Sequence, residues 1–244
     1  MNVADEATGA HLKASVHSCS NVSQMNRGKI VDDLNKCFEC WGLPENIKID
    51  NGPPLVVPKH LDVPTLATLW WVGLGINVIQ NTVRRPQENG IVECLQGTLH
   101  SWTNPKGQDS IENLQERLDK ESDFQRNEYK LPKKKNKTRI ELFPKLATNP
   151  RQYDPDGFEI KRVYSYLDKK VWHRQIRKGG VISFWGSDIY ISKSLAKEEV
   201  CVTFDPIEIQ WVVRKKDGTL LKTFKKKIPL SKSCINVLQK RLGN

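Results

Sequence analysis

The 244-residue chain is poor in cysteine, with six residues of this type scattered along its length. Disulfide-stabilised secreted domains carry denser and more regularly spaced cysteines, so a disulfide framework is excluded. Cys37 and Cys40 form a CxxC pair, but no second cysteine or histidine pair lies nearby to complete a zinc site. Because this spacing falls on a predicted helix, it favours small buried side chains over metal ligands.

Long apolar runs and export signals are also missing from the sequence. No stretch of about 18 apolar residues is present, so no segment is predicted to cross a membrane. The first residues, MNVADEATGA, contain neither the basic nor the apolar part of a secretory signal. We therefore expect an intracellular, cytoplasmic protein.

Positive charge is abundant and unevenly distributed. The formal net charge is +11, and residues 130–244 hold 27 Lys and Arg against 11 Asp and Glu. Residues 1–129 hold 12 basic against 17 acidic side chains. A basic half beside a mildly acidic one is typical of a polyanion-binding module joined to another domain. A cationic surface that only aids solubility stays open as an alternative.

The first half of the chain alternates between predicted strands and predicted helices. Hydrophobic periodicity predicts helices over 27–41, 64–74, 91–102 and 110–129, and strands within 3–4, 10–16, 47–50 and 76–79. Gly42 is expected to end the first helix, and Pro64 to occupy the first turn of the second. This alternation predicts a mixed sheet with helices packed on it.

The second half has a different pattern of charge and of predicted secondary structure. Residues 130–164 read as a basic linker, and short β-like segments separated by turns such as Asp217-Gly218 follow from about residue 165. Short strands at this spacing predict a small closed barrel, with Trp172, Trp185 and Trp211 in its core. The predicted organisation is therefore a domain over 1–129, a linker over 130–164 and a β domain over 165–244.

Two acidic residues stand where predicted elements meet glycine loops. Asp50 ends a predicted strand and precedes Asn51-Gly52, and Glu93 lies in the first turn of a predicted helix that is entered through Asn89-Gly90. Carboxylates at such element ends can converge on Mg²⁺, which prefers a few oxygen ligands and keeps positions open for water and phosphate. Each segment alone also fits a plain turn or helix start. Their combination, 43 positions apart with a helix and a strand between, is more specific.

Three segments together, GLPENIKIDNGPP, LATLWWVGLGI and RRPQENGIVECLQGTL, resemble the integrase core of bacterial insertion-sequence transposases and retroviral integrases. The resemblance covers roughly residues 1–130 and implies a ribonuclease H-like α/β fold with an Asp-Asp-Glu triad. The later strands resemble the C-terminal SH3-like barrel of one bacterial branch. By this resemblance Asp50 and Glu93 are the second and third carboxylates and hold Mg²⁺ or Mn²⁺. The DNA contacts implied are Pro86, Gln87, Asn89, Arg174, Arg177 and Lys178.

The first carboxylate of the triad has no clear counterpart. Asp5 resembles a residue on the family's second strand, where an Asp precedes a Ser/Thr-Gly step, whereas the catalytic Asp belongs to the preceding strand. Only Met1 to Ala4 precede Asp5, which is too short for a strand and a turn at about 3.3 Å per residue. We therefore expect Asp5 to be structural and the chain to be truncated before it. Cys94 also departs from the basic residue that the family usually carries there.

The function implied by the resemblance is DNA transposition and integration by metal-dependent phosphoryl transfer at the ends of an element. Double-stranded DNA is the expected partner, near the nucleoid, with a homo-oligomer in the complete enzyme. Because one ligand is missing, we expect little or no activity from this chain. A non-catalytic DNA-binding remnant of a transposase is the alternative, and a ribonuclease H-like nuclease is a third. The basic residues at 133–135, 137 and 139 could follow phosphates or form a solvated face.

Overall fold

Helix α1 spans Arg27–Trp41 in the computed structural model, which describes residues 1–18, 27–50, 63–81, 89–226 and 228. Its buried side chains include Ile30, Leu34 and Phe38, which recur at helical spacing. The helix ends at Gly42, whose φ of +75° suits glycine and whose N–H donates to the Phe38 carbonyl at 2.8 Å. The predicted start, apolar face and end of this helix are therefore confirmed.

The remaining elements follow in nearly the predicted order. In chain order they are β1 (Asn2–Asp5), β2 (Ala10–Ala14), α1, β3 (Asn46–Ile49), α2 (Leu66–Gly73), β4 (Asn77–Gln80), α3 (Gly90–Thr103), α4 (Ile111–Asn127), α5 (Arg139–Leu142), α6 (Ile160–Asp168), β5 (Trp172–Gln175), β6 (Val181–Phe184), β7 (Ser187–Tyr190), β8 (Glu199–Asp205), β9 (Gln210–Lys215) and β10 (Leu220–Phe224). Short 3₁₀ turns lie between several of them, mainly in the region predicted as a linker.

Two compact units make up the described residues. Unit 1 comprises 1–18, 27–50, 78–81 and 89–154, and unit 2 comprises 63–77, 155–226 and 228. The predicted linker over 130–164 contributes residues to both units. Helix α2, which lies within the predicted first domain, belongs to unit 2.

In unit 1 the strands form two separate pairs. Strands β1 and β2 pair antiparallel, and β3 and β4 form a second two-stranded sheet. Helix α3 packs on β1 and helix α4 packs on β2, with Leu95 and Leu99 of α3 buried. A mixed α/β arrangement is present, but the two pairs do not join into one sheet within the described part of the chain. The ribonuclease H-like fold therefore stays a prediction.

Unit 2 contains the largest sheet among the described residues. Strands β10, β9, β8 and β5 form an antiparallel sheet in that order, and β6 and β7 form a separate hairpin. Its aromatic core includes Trp172, Phe184 and Trp211, each at most 2% exposed. Trp172 and Trp211 are core residues as predicted, and Trp185 is partly buried against Trp211. The strands described do not close into a barrel, so the SH3-like barrel also stays a prediction.

Helix α2 begins later than its sequence pattern predicts. Thr65 caps it, because its hydroxyl accepts the Thr68 N–H at 3.2 Å, and Pro64 precedes the cap instead of occupying the first turn. Trp70 of this helix stacks on Phe158 with ring centroids 5.1 Å apart. No helix in the described ranges is both long and apolar enough to cross a bilayer.

Candidate active site

Asp50 is the residue directly after β3. Ile49, the last residue of the strand, is 4% exposed, whereas Asp50 itself is exposed. The alternation of a strand explains this change, since neighbouring side chains point to opposite faces. The carboxylate therefore stands at a strand end with access to solvent, as the sequence predicts.

Glu93 occupies the first turn of α3. The orphan N–H groups and the positive end of the helix dipole stabilise an acidic side chain there. Leu95 and Leu99 are buried and anchor the helix, while Glu93 is exposed. Helix packing therefore fixes the backbone of Glu93 and leaves its carboxylate accessible.

A buried asparagine connects these two element ends. Asn81, which is 6% exposed and directly follows β4, donates its backbone N–H to the Ile49 carbonyl at 3.1 Å. Its side-chain amide donates to the side-chain oxygen of Asn89, the residue that precedes α3. The residue before Asp50 and the start of the helix that carries Glu93 are thus joined through one residue, by its backbone and its side chain. Asn81 was not among the predicted site residues, and the only sequence signal was its place in the polar loop after the strand predicted over 76–79.

Asn89 contacts Asn81 within unit 1, and its predicted contact with DNA stays a prediction. The resemblance implies that it contacts DNA, but its side chain accepts a hydrogen bond from Asn81 at the entry to α3. This bond positions the helix start. Pro86 and Gln87, the other predicted contacts of this segment, lie outside the described residues.

Asp5 is part of a turn. Its carboxylate accepts the Thr8 N–H at 2.7 Å and its carbonyl accepts the Gly9 N–H at 2.9 Å, which closes the hairpin between β1 and β2. Asp5 thus has the structural role that the sequence predicts. Among the described residues, no three acidic, histidine or cysteine side chains come together as a metal site would require. Asp50 and Glu93 are therefore candidates for a pair of ligands and not for a complete set.

The predicted DNA contacts of unit 2 lie on β5 and the turn that follows it. Arg174 donates to the carbonyls of His173 and Ser183 and lies over the Phe184 ring, 5.6 Å from its centroid. Arg177 forms an ion pair with Asp188. Lys178 is exposed and, with Arg177 and Lys197, lines an open depression of about 510 Å³. Arg177 and Lys178 are thus both exposed, whereas Arg174 is partly buried.

The guanidinium of Arg139 is hydrogen-bonded to backbone carbonyls. Its guanidinium donates to the Gly9 carbonyl at 2.8 Å and to the Gln125 carbonyl at 3.1 Å, so it stabilises unit 1. The lysines at 133–135 and 137 are exposed, in contrast. One of the five candidates in this basic stretch thus has a structural role.

Known proteins give no further guide to this site. The chain matches no protein-family model, and no curated protein matches it. The geometry described above therefore carries the functional argument by itself.

Proposed function

We propose that this chain is part of a DNA strand-transfer enzyme of the integrase type, with Asp50 and Glu93 as two of its three metal-binding carboxylates. The observation that carries the proposal is the link through Asn81, which joins the end of β3 to the start of α3. Two exposed carboxylates that are 43 positions apart in sequence thereby belong to connected element ends. If Asp50 lay only in an ordinary turn and Glu93 only at an unrelated helix start, the hydrogen bonds of Asn81 to both segments would not be expected.

The pairing of β1 fits the hairpin partner that the resemblance implies. By the resemblance, the first carboxylate belongs to the strand before β1, connected to it by a hairpin. Such a strand would pair with β1 on the edge opposite β2, and β1 pairs only with β2 among the described strands. Two isolated strand pairs are also less stable than one larger sheet.

The residues present fit a divalent cation in chemistry, because carboxylate oxygens are the ligands that Mg²⁺ prefers. When bound, the ion supplies Lewis-acid activation of a phosphoryl group and of the attacking oxygen. Asp50 and Glu93 would hold it, and Asn81 would keep the two backbone segments in register. With two carboxylates in place of three, we expect weak metal binding and little or no strand transfer.

A titration with Mn²⁺ tests the carboxylate pair. We expect weak binding by the parent chain, measured as loss of the free-ion electron paramagnetic resonance signal, and at least tenfold weaker binding after Asp50→Asn or Glu93→Gln. Asp109→Asn and Glu112→Gln are matched controls, since both residues are exposed and Glu112 also lies in the first turn of a helix. Equal affinity in all four variants would refute the assignment of the ligands.

An activity assay tests the expected inactivity separately. Incubation with double-stranded DNA and Mg²⁺ or Mn²⁺ should give no nicked or joined product. Products that appear with the parent chain and disappear with Asp50→Ala would show that the chain is a working enzyme. Cleavage of RNA–DNA hybrids alone would favour a ribonuclease H-like nuclease.

A DNA-binding protein without catalysis is the second candidate, favoured by the basic depression of unit 2. Arg177, Lys178 and Lys197 surround it, and both lysines are exposed. Each phosphate contact releases counterions, so each lost contact should lower the salt slope of binding by about 0.9. Lys178→Ala and Lys197→Ala should each show this effect in fluorescence anisotropy with duplex DNA, whereas Lys161→Ala, on α6, should not. An unchanged salt slope in both variants would exclude this surface.

A further inference from the structure

An aromatic groove lies between α3 and α4 in unit 1. Trp102 and Phe124 form its floor and Tyr129 packs against both, with ring centroids between 5.4 and 6.3 Å apart. Phe124 is 39% exposed and Tyr129 is 37% exposed, so the floor is open to solvent. Three adjacent, partly exposed aromatic rings are costly to leave hydrated, and such patches commonly mark interaction sites.

Four acidic and two basic side chains surround this floor. The groove has a volume of about 820 Å³, and its charged lining residues are Arg117, Asp119, Lys120, Glu121, Asp123 and Glu128. Glu121 pairs with Arg117 at 2.5 Å, and Asp123 pairs with Arg126 at 3.1 Å. Asp119 and Glu128 also line the groove and are exposed to solvent. Aromatic faces beside carboxylates are suited to a lysine ammonium group, which gains cation–π attraction and charge neutralisation together.

The chain carries a fitting group immediately after the groove. Residues 130–137, which we call the basic loop, contain five exposed lysines and no acidic residue. Leu131 and Lys137 form a β-bridge, and the Leu131 carbonyl accepts the N–H groups of Lys134 and Asn136 at 2.9 and 3.1 Å. Lys135 and Asn136 adopt left-handed φ values of 56° and 54°. The loop is thus held in a defined shape, which lowers the entropy cost of binding.

We infer that two copies of this chain associate through unit 1, with the basic loop of each copy in the aromatic groove of the other. Groove and loop are complementary in charge and are close in sequence, since Glu128 lines the groove and Lys130 begins the loop. A twofold axis makes such a surface self-complementary and forms both contacts at once. The inference does not depend on the proposed catalytic function, because it requires neither DNA nor metal.

Charge exchange between the two surfaces tests the inference. A loop variant carries Lys133→Glu, Lys134→Glu and Lys135→Glu, and a groove variant carries Asp119→Lys and Glu128→Lys. In sedimentation velocity on nuclease-treated protein we expect a dimer for the parent chain. Each variant alone should dissociate at least tenfold more readily, because like charges then meet at both contacts. An equimolar mixture of the two variants should form a dimer again, because both contacts of the mixed pair become attractive.

A control variant carries Lys161→Glu, Lys169→Glu and Lys193→Glu, at exposed positions of unit 2. Its net charge changes by the same amount as that of the loop variant. It should dimerise like the parent chain. Circular dichroism establishes that each variant is folded before its association is compared. A monomeric parent chain, a dimer unaffected by either charge reversal, or a mixture that stays monomeric would each overturn the inference.

Discussion

Unit 1 and unit 2 achieve order in different ways. In unit 2 a four-stranded sheet encloses an aromatic core in which Trp211 contacts Trp172, Phe184 and Phe204 with ring centroids 4.9 to 5.5 Å apart. In unit 1 the strands remain in pairs, and buried polar groups join β2 to α4. His11 and Gln125 are 0% and 1% exposed, and the Gln125 side chain accepts the His11 N–H at 3.1 Å and donates to the Gly9 carbonyl at 2.9 Å.

This difference indicates which unit has a stability that depends more on pH and on binding partners. Apolar contacts are non-directional and tolerate small shifts, so unit 2 should be stable by its own core. Hydrogen bonds in a buried network are directional, and an unsatisfied partner costs about 1–3 kcal/mol. Unit 1 should therefore be the more sensitive to pH and to binding partners.

Replacement of the central tryptophan should give the largest effect. Trp211→Ala removes a fully buried ring and should destabilise unit 2 by about 3–5 kcal/mol. Hydrogen exchange followed by mass spectrometry should show faster exchange in β5, β8 and β9 and little change in α4. Equal acceleration in both units would mean that they unfold together and that the comparison is wrong.

A glycine pair should separate backbone strain from packing in unit 2. Gly180 and Gly218 both have positive φ, at 78° and 88°, but only a Cβ at Gly180 would meet backbone, with Lys193 N at 2.6 Å. Gly218→Ala should cost about 1–2 kcal/mol from strain alone, and Gly180→Ala about 3 kcal/mol because overpacking is added. Thermal unfolding of both variants measures the difference. Equal destabilisation by the two substitutions would show that the backbone near Lys193 moves away from the added Cβ without a cost in free energy.

The pH dependence of unit 1 should be a smaller effect than Trp211→Ala or Gly180→Ala. Burial, aided by Arg126 and the chain's amino group, lowers the pKa of His11 from 6.5 to about 4. The folded state therefore binds fewer protons than the unfolded state between these values, so stability is present above pH 6.5 and is lost as the pH falls toward 4. The loss between pH 7 and pH 5 should be about 2 kcal/mol.

Chemical denaturation of the parent chain and of His11→Gln at both pH values measures this effect. The variant lacks the titrating ring, so its stability should change less between the two pH values. The same pH dependence in both proteins would assign the effect to other groups.

Local patterns predicted the elements well. The limits of α1 and its glycine end follow from side-chain spacing and from the conformational freedom of Gly42. Ser110 caps α4 by accepting the Asn113 N–H at 3.1 Å, so the predicted helix over 110–129 begins one residue inside its predicted limit. Such features depend on neighbours within a few positions.

Long-range polar contacts could not be predicted in the same way. His11 and Gln125 meet across 114 positions, and no local pattern specifies that pairing. Asp50 and Glu93 were found because glycine loops adjoin them, whereas Asn81 has only an ordinary sequence context. The resemblance directed attention to the carboxylates, but it gave no information on which residue holds their segments together.

Lys226 shows why a count of basic residues overstates what a polyanion meets. Its ammonium group donates to the Trp185 carbonyl and the Ser187 hydroxyl, both at 2.6 Å, and so points into unit 2. Arg139 is committed to backbone carbonyls in unit 1 in the same manner. The basic side chains of the sequence therefore fall into two groups. Some stabilise the fold through hydrogen bonds, and only the solvent-exposed ones can release counterions when a nucleic acid binds.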